Sequence, residues 1–259
     1  MKKTITDLIE ALKIRLLLHR YPLLIYYQRI TKEQLLKEKK LTYSVPPSYI
    51  NTLPKMTYKS LVSSGAGRDV NRFLKNANIP PSQIKNILDI GSGLGDYYTL
   101  FKHYFPTAKY TGIEITDQLL SLSRHRYPSA NFVKGSLLVP NTINKPNQLI
   151  FISGVLHYMV SDLDMAMQHL KNNAQKYLLI TRMPIIKHHR SNQIFIRQKI
   201  YTQSQTDINH IIVKKPSYFI DKLKPKFSLI TSDCLSEVYK LQNDNCEPLI
   251  HNIMLFRRK

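Results

Sequence analysis

The stretch "NILDIGSGLGDYYTLF", residues 86–101, decides how the rest of the chain is read. It begins with a short apolar run holding one acid, Asp89, which reads as a buried strand. From Leu94 the apolar residues are spaced like a helix, and Pro106 stops it. Between strand and helix lie Gly91, Gly93 and Gly95, at alternate positions. Glycine lets the backbone turn sharply and lets a ligand approach the main chain, and the helix start behind it offers free N–H groups. The spacing is D-x-G-x-G-x-G, not the G-x-G-x-x-G of pyrophosphate-binding turns. The third glycine comes one residue early, and an acid precedes the first. That acid repels a pyrophosphate and suits a cationic ligand bearing an amino group.

Outward from this turn the chain alternates strands and helices. "KYTGIEI" (109–115), "NFVKG" (131–135), "NQLIFISG" (147–154) and "KYLLITR" (176–182) read as further strands. "TDQLLSLSRHRY" (116–127) and "SDLDMAMQHLKNN" (161–173) read as the helices between them. Such alternation predicts right-handed crossovers and a parallel sheet covered on both faces. Residues 183–216 break the rhythm and read as an insertion with some β character. "SYFIDKLK" (217–224) gives a helix, and the runs 227–241 and 249–259 are expected to pair antiparallel. Residues 1–60 read as an N-terminal helical extension and 61–259 as the main domain. In the extension, Ile5, Leu8, Ile9, Leu12 and Leu16 recur at helical spacing, and Thr31 with Gln34 forms a capping-box pattern.

The turn does not stand alone. The second strand ends at Glu114, where a carboxylate can accept from both hydroxyls of a ribose, and the third runs into "KGSLL". With these partners the sequence resembles the class I S-adenosylmethionine-dependent methyltransferases over residues 80–182. The resemblance implies an α/β fold: a Rossmann-like sheet, mostly parallel with an antiparallel last strand, and helices on both faces. It implies S-adenosyl-L-methionine as cofactor. Asp89, Gly91, Ser92, Gly93 and Gly95 match the loop that carries the methionine moiety, with Tyr97 at the following helix start. Glu114 matches the ribose-binding acid, with Ile115 beside it. Gly135, Ser136 and Leu137 match the adenine loop, where Ser136 stands in place of the usual acid. Ser153 and Gly154 match the exit of the fourth strand. "DIGSGLG", "ISGVLHYM" and "LLITRMPI" together are similar to a methyltransferase family often encoded among surface-polysaccharide genes.

Methyl transfer to a hydroxyl needs its proton removed. His157, just past the fourth strand, is the best-placed base because imidazole titrates near neutrality. Tyr158 beside it lines the pocket or touches the cofactor. Arg182, at the carboxyl end of the fifth strand, either grips a phosphate or carboxylate of the substrate or pairs with an acid. Arg68 either reaches the methionine carboxylate or simply starts a helix. His188 and His189 have no nearby carboxylate, so no metal is expected.

The 259 residues carry 38 Lys and Arg against 17 Asp and Glu, a net charge of +21. Such a field attracts nucleic acid, anionic lipid or a phosphorylated substrate. The expected acceptor is a small sugar or glycan precursor, nucleotide-linked or lipid-linked. RNA is a weaker expectation, because the "N/D-P-P-Y/F" segment of base-methylating enzymes is replaced by "SGVLHY". A catalytically silent scaffold that kept the fold is the remaining alternative. Two cysteines, Cys234 and Cys246, suit a reducing cytoplasm. No apolar run reaches the roughly 20 residues of a spanning helix. The expectation is therefore a cytoplasmic protein, with the apolar face within residues 1–40 either packed on the main domain or resting on the inner membrane surface.

Overall fold

A computed structural model describes residues 24–38, 50, 53–139, 142–143, 147–187, 190–201, 206–239 and 249–259. The strands expected around the glycine turn form the centre of a sheet. These are β2 (Asn86–Ile90), β3 (Lys109–Glu114), β4 (Asn131–Lys134), β5 (Asn147–Ser153) and β6 (Ala174–Ile185). They pair in parallel in the order β4-β3-β2-β5-β6. On the far side of β6, β10 (Leu249–Arg258) runs antiparallel to it and also pairs antiparallel with β9 (Phe227–Tyr239). This is the Rossmann-like α/β sheet with a reversed last strand.

Strand periodicity sorts the core into two layers. Ile87, Leu149, Phe151, Leu179 and Leu255 face one way, toward α2 (Tyr58–Ser63), α3 (Gly65–Ala77) and α4 (Tyr97–Tyr104). Leu88, Ile150, Ile152, Leu178 and Met254 face the other way, toward α6 (Leu163–Asn173) and α7 (Pro216–Leu223). Consecutive residues therefore serve opposite cores, so these strands read as unbroken apolar runs. Phe151 is fully buried. Truncating such a side chain to Ala costs about 3–5 kcal/mol.

The periphery differs from the sequence reading. Leu24–Ile30, placed by the sequence in a helical extension, is a strand, β1. Alternation explains it, since Ile25 and Tyr27 turn to a cavity while Tyr26 packs edge-on to Tyr201 with ring centroids 5.4 Å apart. The capping box is present: Gln34 N donates to Thr31 Oγ1 at 3.2 Å and Thr31 N to Gln34 Oε1 at 2.8 Å, opening α1 (Lys32–Lys37). Residues 183–216, read as an insertion with some β character, extend the sheet. β6 continues to Ile185, and β7 (Gln193–Tyr201) and β8 (Thr206–Lys214) form a hairpin joined to β6 at Ile185–Lys214. β1 adds to β7 antiparallel, giving a three-stranded flap over the carboxyl end of β6. Ile194, Ile196, Ile211 and Val213 give the flap its own small core. The helix read over residues 5–16, His188, His189 and Cys246 lie outside the described residues.

Candidate active site

One cavity of about 860 Å³ opens at the carboxyl ends of the parallel strands and is roofed by the flap. That is where ligands bind in open α/β sheets. Its volume lies near the top of the usual small-molecule range of about 300–1,000 Å³, enough for two ligands side by side.

At one end, Gly91, Gly93 and Gly95 all have positive φ (70°, 55° and 80°), which side-chain-bearing residues rarely adopt. Gly91 N and Ser92 N donate to Ile113 O at 2.8 and 2.9 Å, tying the turn to β3. Gly93 N donates to Glu114 Oε2 at 2.9 Å, and Ile115 N and Thr116 N donate to Glu114 Oε1 at 2.9 Å each. The Glu114 carboxylate is thus buried in the cavity wall and fixed by three main-chain amides. A Cβ on Gly93 would meet nothing within 4 Å, so this face of the turn is open to a ligand.

Two of the expected residues stand off the cavity wall. Gly95 does not line the cavity: a Cβ there would lie 2.6 Å from Phe132 Cζ, so its bareness serves packing. Asp89 is also absent from the cavity wall. It lies behind the turn, where the Tyr110 hydroxyl donates to it at 2.5 Å, and burial pushes its carboxyl up to about 7. The acid that lines the cavity beside the turn is Asp96, at the head of α4, which the sequence reading did not single out. Burial raises its carboxyl above the ordinary range, and the Tyr127 hydroxyl, donating at 2.8 Å, works the other way.

The remaining residues expected at this end do line the cavity. Tyr97 packs edge-on to Phe151 with centroids 4.8 Å apart, and Ile115 is exposed beside Glu114. Gly135, Ser136 and Leu137 form the turn after β4. Ser136 Oγ accepts from Leu138 N at 3.2 Å, and His169 Nδ1 lies 2.7 Å from Leu137 O, pinning the turn to α6. Ser153 and Gly154 lie at the junction of the two ends. Arg68 sits exposed on α3, away from the cavity.

At the other end, His157 and Tyr158 lie on a single 3₁₀ turn, Leu156–Tyr158, with ring centroids 4.1 Å apart. His157 is buried, and its Nδ1 has no hydrogen-bond partner. Burial, then the neighbouring His251 and Arg182, hold its pKa well below the usual imidazole value. The ring is therefore neutral, and its surroundings disfavour its protonated form. Tyr158 Oη donates to Gln198 Oε1 at 3.2 Å. Gln198 Nε2 donates to Tyr27 Oη and Asn209 Nδ2 to Gln198 Oε1, both at 3.1 Å. This network ties the turn after β5 to β1, β7 and β8. Ile25, Ile200, Ile211 and Leu249 supply apolar wall around it. Sequence reasoning missed this wall; its signal was the alternation of buried and half-buried positions in "QIFIRQKIY". Among the described residues no group of three His, Cys, Asp or Glu is arranged to hold a metal ion.

A glycine turn, an amide-held acid at the next strand tip and the Gly135–Leu137 turn after β4 thus share one cavity. Residues 87–176 match the methyltransferase-domain family. That methyltransferase-domain match covers β2 through the start of β6, the part that builds the glycine end of the cavity. The chain is 28% identical over 113 residues to a trans-aconitate 2-methyltransferase of Rhizobium rhizogenes, covering 42% of each chain. It is 34% identical over 61 residues to the protein of the same name from Paracidovorax citrulli, covering 24% of each. The chain thus spans less than half the length of these curated relatives. Among solved structures it is similar to magnesium protoporphyrin IX methyltransferase of Synechocystis with bound S-adenosylhomocysteine. That similarity has a TM-score of 0.54 at 12% identity and covers 82% of this chain and 92% of the other. It establishes the Rossmann-like fold of the methyltransferases.

Proposed function

We propose that the chain is an S-adenosylmethionine-dependent methyltransferase acting on an oxygen of a small sugar or glycan precursor. The observation that carries the reading is Glu114, buried, fixed by three amides and facing the same cavity as the open turn at Gly93. The residues fit the cofactor. Glu114 would hold the ribose diol, the Gly91–Gly93 turn and Asp96 the methionine chain and its ammonium, and the Ser136–Leu137 turn the adenine. When bound, S-adenosylmethionine supplies a methyl group on a positively charged sulfur. The protein's own part is positioning and proton removal. The Tyr158–Gln198–Tyr27 network and the aliphatic wall orient the acceptor for in-line attack. His157 would take the proton of the acceptor hydroxyl.

The mixed apolar and hydrogen-bonding wall supports a sugar, and the net charge of +21 supports a phosphate-linked one, as in surface-polysaccharide assembly. A lipid-linked acceptor would bring the reaction to the cytoplasmic membrane surface through the basic residues 1–40. Among the described residues no helix is long and apolar enough to cross a membrane. Formation of S-adenosylhomocysteine should be measured with nucleotide-linked sugars on one side and tricarboxylic acids, the class named in the curated relatives, on the other. Turnover with the sugars is expected; turnover with the acids alone would overturn the acceptor assignment. Co-sedimentation with anionic vesicles, lost on removing residues 1–40, would support the membrane component.

A further inference from the structure

The cavity takes up the carboxyl edge of the parallel strands, and the opposite edge has a character of its own. The pairing registers make that edge level: Tyr110, Ile87, Leu149, Tyr177, Arg257 and Ser228 stand in one row across β3, β2, β5, β6, β10 and β9. At the usual strand spacing of about 4.8 Å the row is about 24 Å long. One residue further out lie Lys109, Lys176 and Arg258, and beyond them Lys85, Lys226 and Lys259. Lys109 N donates to Lys85 O at 2.8 Å and Lys259 N to Lys226 O at 3.0 Å, so these turns sit side by side.

Helices add to the same edge. Crossovers in a parallel sheet return each helix to the start of the next strand, so α3, α4, α6 and α7 end here. Lys75, Lys102 and Lys171 stand in the last turns of α3, α4 and α6, and Lys224 caps α7. A helix C-terminus favours such cations. It does not ask for the six cations at the strand ends, which are a separate feature of this sequence. All of these side chains are exposed except Lys171, Lys226 and Arg258, which are half-buried. Their hydrogen-bond partners are neutral: Lys226 Nζ donates to Asn172 Oδ1 at 3.0 Å, Arg258 Nη1 to Ala174 O at 2.8 Å and Lys102 Nζ to Pro106 O at 2.6 Å. Among the described residues, Asp221 of α7 is the one acid in these helix ends, strand ends and the turns between them.

The edge is also free of groups that insert or stack. Tyr110, Tyr177 and Phe227, the aromatic residues of its rows, are buried. The large exposed apolar side chains, such as Ile115, Met165 and Ile230, lie off these rows. Single-stranded nucleic acid is held on exposed aromatic platforms, whereas a level cationic face matches a plane of anionic headgroups, with each Lys or Arg near it adding to affinity. We propose that this amino edge of the sheet is a docking face for an anionic phospholipid bilayer. The face is separate from residues 1–40, and it stands or falls independently of the methyltransferase reading. Where both hold, the docked protein opens its cavity on the aqueous side, within direct reach of a nucleotide-linked acceptor.

The test is co-sedimentation of the full chain with vesicles of phosphatidylcholine alone or mixed in equal parts with phosphatidylglycerol. Binding to the mixed vesicles only, weakened by added sodium chloride, is expected. The triple variant Lys85→Gln, Lys109→Gln, Lys176→Gln should weaken it by at least about tenfold. A second triple, Lys75→Gln, Lys171→Gln, Lys224→Gln, should do the same from the helix ends, so a folding failure in one variant leaves the other to decide. The control carries the same change in net charge on α1 and the flap, Lys32→Gln, Lys37→Gln, Lys199→Gln, and should stay within about twofold of the wild-type chain. No binding to the mixed vesicles overturns the docking face, as does wild-type binding in both face variants. A loss in the control equal to that in the face variants reduces the effect to overall charge and also overturns it. So does release from the vesicles by a mixed-sequence RNA duplex at equal phosphate concentration, which would mark nucleic acid as the preferred partner. Calorimetry with S-adenosylhomocysteine, run on the same proteins, reads the cofactor site separately and should not change.

Discussion

At the glycine end of the cavity the main chain does most of the holding: amides of Gly93, Ile115 and Thr116 fix one carboxylate, and the turn is bare. At the flap end the wall is made of side chains, with Tyr27, Gln198, Asn209 and Tyr158 drawn from four separate segments. A main-chain site needs a short local motif and tolerates little variation in it. A side-chain site can be reassigned one residue at a time, which suits the proposed role of this end in choosing an acceptor. The two ends should therefore fail in different ways.

His157→Ala should separate them most sharply. Loss of a general base lowers kcat by roughly 10²–10⁴-fold, while calorimetric affinity for S-adenosylhomocysteine stays at the wild-type value. Equal loss of both would make His157 a structural residue. Glu114→Gln should do the reverse at the other end. It keeps the shape but weakens charged hydrogen bonds worth about 1.5–3 kcal/mol each, so cofactor affinity should fall by roughly 10- to 100-fold. Gln198→Leu should be milder, raising the acceptor KM several-fold, by about the 1 kcal/mol of a neutral hydrogen bond, with cofactor affinity intact.

The ends also differ in how pH acts on stability. The pKa of His157 is lowered by burial, so its contribution is complete above the ordinary value of 6.5 and is lost as pH falls below it. The carboxyl of Asp89 is raised from 3.8 to about 7, so its contribution is complete in acid and is lost as pH rises between those values. Thermal denaturation from about pH 4 to 8 should show His157→Gln flattening the acid-side loss and Asp89→Asn flattening the loss toward neutrality. The same slope in both variants as in the wild-type chain would contradict the burial argument.

The contrast explains what the sequence made legible. The parallel strands, the reversed β10 and the glycine turn with Glu114 follow from local signals: apolar runs, glycine spacing and an acid at a strand tip. Asp89 was legible as part of its strand, but a five-residue strand buried on both faces carries no alternation to show which way a side chain points. Asp96 carries no local signal that sets it apart from other acids near a helix start. β1 was hidden because it is stabilised by pairing with β7, more than a hundred residues away, and nothing local announces that partner. Arg182 lines the cavity where the register of β6 against β10 shifts, and its φ of 54° is likewise set by that pairing.

Calorimetry of S-adenosylhomocysteine with the wild-type chain and with Glu114→Gln tests the central claim most directly. Saturable one-to-one binding by the wild-type chain, weakened by at least tenfold in the variant, is the predicted result. No binding, or equal affinity in the two proteins, would contradict the placement of the cofactor between the Gly93 turn and Glu114.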